Sequence, residues 1–83
     1  MNLDNIIYDM EIFAFPWKDE KSKSQKEKDK EMEYILFKNS VIQKYDLTNN
    51  NSDEKETMYK FELIYYLKDE VDFEWFKNYM SRL

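Results

Sequence analysis

Eighty-three residues with a net charge of −5 make one small domain with a thin stability margin. The chain has no Cys, no His and no Gly. This excludes thiol nucleophiles, structural zinc and iron–sulfur clusters, Ser-His hydrolysis, and glycine-dependent phosphate or dinucleotide loops. The disulfide and metal staples of many small domains are therefore missing, and aromatic residues, 18% of the chain, have to supply the core.

Residues 3–17, "LDNIIYDMEIFAFPW", carry two periods. Period two puts Ile6, Tyr8, Met10, Ile12 and Ala14 on one face and Asp9 and Glu11 on the other. Period 3.6 gathers Leu3, Ile6, Ile7, Met10, Phe13 and Ala14. Pro16 biases Phe15 towards an extended backbone, and a strand over 6–15 is favoured, with a helical start over 3–10 as the alternative. Residues 18–30 contain no apolar side chain and are expected to be a mobile charged loop within a single domain spanning 1–83. Its six Lys make it locally basic, at +2, between segments of −3 (1–17) and −4 (31–83).

Residues 31–48 read as a hairpin turning at Asn39, the residue type that tolerates positive φ in a chain without Gly. One helix running out of the charged segment through Tyr45 is the rival. Residues 48–56 are a loop by composition. Residues 57–68 give the clearest strand, with Tyr59, Phe61, Leu63, Tyr65 and Leu67 on one face. Residues 69–83 read as a helix capped by Asp69 or Asp72, with Glu70, Asp72 and Glu74 at its positive end. Phe73, Phe76, Met80 and Leu83 form its expected core stripe, and Trp75 and Tyr79 a second one beside it. The expected fold is α+β: an antiparallel β-meander of three to four strands with one C-terminal helix packed on a face.

The pair Asp9 and Glu11 in "YDMEIF" resembles the first motif of the proofreading-type 3′-to-5′ exonucleases. Tyr65 and Asp69 match their late Y-x-x-x-D, and Asn39 with Tyr45-Asp46 loosely imitates their middle motif. The resemblance implies two metal ions shared by carboxylates on one strand face. It covers about a dozen residues, and that fold takes about twice this length. Its third motif also belongs on a helix, whereas Tyr65 is expected on a strand. The chain is therefore read as no enzyme, with no metal and no cofactor, and Asp9 and Glu11 as the solvent side of a strand.

An acidic chain without catalytic equipment, and with more aromatics than one small core can hold, fits a binding protein. The expected contact residues are Asp69, Glu70, Asp72, Glu74, Trp75 and Tyr79, joined by Asp9 and Glu11. The partner expected is a protein with a basic surface; neither direct nucleic-acid contact nor a membrane is expected, and a homodimer is left open. Richness in Asn, Lys, Ile and Tyr, with little Ala, Gly, Pro or Arg, is the stamp of an AT-rich genome. By analogy of type, small acidic orphans of phages and mobile elements inhibit host defence or nucleic-acid-processing proteins, anti-CRISPR proteins among them. Immunity to a basic toxin and a structural homo-oligomer are the two alternatives. The start of the chain carries acids where a secretion signal would carry bases, so the expected place of action is the cytoplasm of a bacterial host cell.

Overall fold

A computed structural model describes residues 2–18, 20–49 and 52–83. It contains four α-helices and, among the described residues, no strand: α1 (Leu3–Ala14), α2 (Gln25–Lys44), α3 (Asp53–Leu67) and α4 (Phe73–Ser81). The expected β-meander is overturned, and with it the α+β class. The expected loop residues Asp19, Asn50 and Asn51 lie outside the described residues.

Each helix starts on a side-chain cap that satisfies orphan backbone N–H groups. Asn2 accepts from the N–H of Asp4 at 3.0 Å. Ser24 and Glu27 form a reciprocal capping box: Ser24 Oγ accepts from the Glu27 N–H at 3.2 Å, and Glu27 Oε1 accepts from the Ser24 N–H at 2.9 Å. Ser52 caps α3, and Asp72 caps α4 by accepting from the Trp75 N–H at 3.1 Å. The last six residues of the charged segment 18–30 are thus the beginning of α2 rather than loop.

The buried sets explain why helices replace strands. In α1 the buried residues are Ile6, Ile7, Met10 and Ala14, spaced as one helical stripe. Ile12, on the apolar face of the strand reading, is exposed. Pro16 does not extend the segment; it stops the helix at Phe15. In α2, Tyr34 and Val41 are buried two turns apart, and Asn39, the expected turn, lies exposed in mid-helix. In α3, Leu63 and Leu67 are buried with Tyr59 and Tyr66 packed beside them. Phe61 and Tyr65, which the strand reading placed on the same face, point outwards.

α2 ends in a Schellman closure. The Asp46 N–H donates to the Gln43 carbonyl and the Leu47 N–H to the Ile42 carbonyl, each at 3.1 Å. Asp46 takes the left-handed conformation, φ 52°, at the position where glycine is usual.

The core is one cluster formed by Ile6, Ile7, Met10, Ala14, Phe15, Tyr34, Leu63, Leu67 and Val71. α3 is the hub: its backbone packs against both α1 and α2. α2 reaches α1 and its C-cap through side chains, the Tyr34 ring packing at a tilt of 31° against Phe15 with centroids 5.3 Å apart. No α4 Cα lies within 8 Å of a Cα in another helix; α4 is attached by its aromatic side chains. The expected core stripe of α4 is corrected accordingly: Phe73 is 72% exposed and Leu83 is exposed as well, while Trp75, Phe76 and Tyr79 pack on the core. No helix among the described residues is long and apolar enough to cross a membrane.

Candidate functional site

On a helix, residues two apart point about 200° from each other, and Asp9 and Glu11 part company accordingly. Asp9 Oδ2 accepts from the Tyr79 hydroxyl at 2.7 Å, across 70 residues of sequence. Glu11 faces α2, where its Oε2 accepts from the Tyr34 hydroxyl at 2.6 Å and lies 3.5 Å from Lys38 Nζ. The two carboxylates do not share the face that a metal pair needs. Tyr65 does sit on a helix, contrary to the strand expectation, but the other half of the resemblance is dismantled. Among the described residues no group of three or more His, Cys, Asp or Glu is placed to hold a metal.

The remaining expected contact residues fall on two surfaces. The first lies between α1 and α4. Phe13, Trp75 and Tyr79 form a continuous stack, with centroid separations of 4.3 Å and 5.0 Å and interplanar angles of 17° and 12°. Asp9, Ile12 and Pro16 complete a shallow cleft of about 530 Å³ around the stack. Burial, and then the hydrogen bond to Asp9, raise the Tyr79 phenol above its ordinary range. Ile12 is 48% exposed beside the rings, and Asp72 and Glu74 stand exposed at the start of α4.

The second surface lies between α2 and α3. Phe37, Phe61, Tyr65 and Tyr66 line a cleft of about 590 Å³, with Glu62, Asp69 and Glu70 among its walls. Phe37 stacks on Tyr66 at 4.6 Å. Burial, and then the nearby Glu70 and Glu33 charges, raise the Tyr66 phenol. The eight expected residues therefore divide. Asp9, Trp75 and Tyr79 meet at the first surface, with Asp72 and Glu74 on the adjoining turn of α4. Asp69 and Glu70 belong to the second, and Glu11 belongs to neither.

The chain matches no protein-family profile, no curated protein and no solved structure. The site is therefore defined by its own geometry. Sequence reasoning missed Ile12 and Phe13 at the first surface and Phe37, Phe61 and Tyr66 at the second. The period-3.6 option over 3–14 held the signal for the first: Asp9 and Phe13 are one helical turn apart.

Proposed function

We propose that the chain is a non-enzymatic binding protein that docks a basic protein surface through the α1/α4 face. The observation that carries this reading is the Phe13–Trp75–Tyr79 stack, which leaves Ile12 and Phe13 partly open to solvent, with Asp72 and Glu74 exposed at the start of the same helix α4. Rigid aromatic anchors bordered by charge are the composition of interface hot spots. A net charge of −5 steers such a surface towards a cationic partner. Composition adds the biological setting: an inhibitor carried by a phage or mobile element, acting in the cytoplasm of a bacterial cell on a defence or nucleic-acid-processing protein, in the manner of anti-CRISPR proteins.

The test is capture from the native host followed by reconstitution with the purified prey. A basic nucleic-acid-processing protein is expected to bind in isothermal titration, more weakly as salt rises. Ile12→Arg, at an exposed position, is expected to weaken it at least tenfold with the helical circular dichroism unchanged. An acidic prey, a toxin encoded by the adjacent gene, or undiminished binding by Ile12→Arg would overturn the reading.

A further inference from the structure

We infer that the α2/α3 cleft is a second recognition site, which takes an arginine side chain from a basic segment of a partner protein. Its floor is aromatic: Phe37, Phe61, Tyr65 and Tyr66. Its walls bring three carboxylates, Glu62, Asp69 and Glu70, and no basic residue lines it. Aromatic faces next to carboxylates select an organic cation. A guanidinium fits better than an ammonium, because its flat fork stacks on a ring while donating two parallel bonds to a carboxylate.

The chain itself demonstrates the chemistry. Lys68 Nζ rests 4.3 Å from the centre of the Tyr65 ring. Lys44 lies 3.1 Å from Glu62 and Lys30 lies 3.6 Å from Glu70. These lysine pairs are at the surface, with Lys44 60% and Lys30 42% exposed. Exposed pairs contribute little to stability, so an incoming guanidinium displaces Lys30 from Glu70 at small cost, whereas Glu62 also accepts from Tyr45 and stays engaged. Asp69 has no ion-pair partner among the described residues and stands exposed at the end of α3. Phe61 and Tyr65, 56% and 68% exposed, give the apolar stem of an arginine and its neighbours a surface to lie on. The cleft volume, about 590 Å³, exceeds what one side chain fills, which favours a segment over a free small cation.

The inference rests on the reading of the chain as a binder of basic proteins but uses the other surface. The experiment therefore employs peptides alone. A ¹⁵N-labelled sample of the full chain is titrated with a short amphipathic arginine peptide, its lysine and glutamate counterparts, and spermine. The arginine peptide is expected to bind, with amide shifts concentrated over residues 61–70, and the lysine peptide several-fold more weakly. Tyr65→Ala and Asp69→Asn, both at exposed positions, are each expected to weaken binding by about five- to thirtyfold, whereas Ile12→Arg leaves it unchanged. No shifts at millimolar peptide, shifts centred on α1 and α4, or equal binding by Tyr65→Ala would refute the site. So would spermine binding as tightly as the peptide. A dimer in sedimentation that Tyr65→Ala dissolves would assign the cleft to a second copy instead.

Discussion

Asp46 illustrates what a glycine-free chain has to do at a helix end. Its φ of 52° costs an ordinary L-residue roughly 1–2 kcal/mol, less for Asp, whose short polar side chain bonds locally. Here Asp46 Oδ1 accepts from Asn49 Nδ2 at 3.1 Å. Asp46→Gly is therefore expected to gain about 0.5 kcal/mol, visible as a rise of about 2–4 °C in Tm. Asp46→Val is expected to lose roughly 1–2 kcal/mol, since a β-branched side chain resists this conformation. Thermal circular dichroism of the pair settles both signs, and equal Tm values would mean that the closure of α2 is not strained. Tyr34 and Glu11 show the same economy in the interior. A phenol in the core is admitted because a carboxylate at its rim takes its proton-side bond.

Among the elements, α4 was legible, α1 and α2 were present only as the unfavoured helical alternatives, and α3 was not legible, for reasons that lie in how the helices bury themselves. Asp72 followed by an apolar-aromatic run is a strong start signal, and it holds in the structure. α2 buries only Tyr34 and Val41, and α3 only Leu63 and Leu67. Other apolar residues, among them Ile35, Leu36, Phe61 and Tyr65, sit outside and scramble the 3.6 period into apparent alternation. Two signs pointed the other way. Ser24 with Glu27 fits a capping box, and a chain with no Gly is poorly supplied with hairpin turns. The candidate site inherited the error: the acids and aromatics of 69–80 were readable, but their partners on α1 and α2 required the helical register. α2 and α3 are further joined where Glu62 accepts from Tyr45 and pairs with Lys44. The Tyr45 hydrogen bond first, and Lys44 with it, hold Glu62 below its usual carboxylate range. A carboxylate depressed in the folded state stabilises above its unfolded pKa and loses that contribution as pH falls through the folded value. Glu62→Gln is therefore expected to flatten the acid limb of the stability curve below about pH 4.3. Urea titrations between neutral and acidic pH would show it, and parallel curves for the two proteins would remove this contact from the account.

At the scale of the molecule, the helices form a flat body measuring 37 × 32 × 18 Å. Its radius of gyration, 13.8 Å, exceeds the roughly 12 Å of a compact globule of this length. Flatness keeps both clefts open, on separate surfaces of one thin slab. Tyr34, Tyr59, Tyr66 and Tyr79 all have phenols raised first of all by burial. A group raised in the folded state stabilises fully below its unfolded pKa, and that contribution is lost as pH climbs towards the folded value. Stability is expected to decline above about pH 10, with the Tyr34 phenolate appearing only as the chain unfolds. Stability that does not fall above about pH 10, or a Tyr34 phenolate that appears in the folded protein, would contradict this. The attachment of α4 through side chains, by ring packing and the Tyr79–Asp9 hydrogen bond, has a kinetic meaning. Helices α1 to α3 can consolidate as a unit, while α4 docks when Trp75, already stacked on Tyr79 within α4, meets Phe13 and the Tyr79 hydroxyl reaches Asp9. Trp17 lies edge-on to Phe15, away from that stack. Two indoles thus stand in two different parts of the packing, Trp17 beside the three-helix core and Trp75 in the stack that holds the last helix.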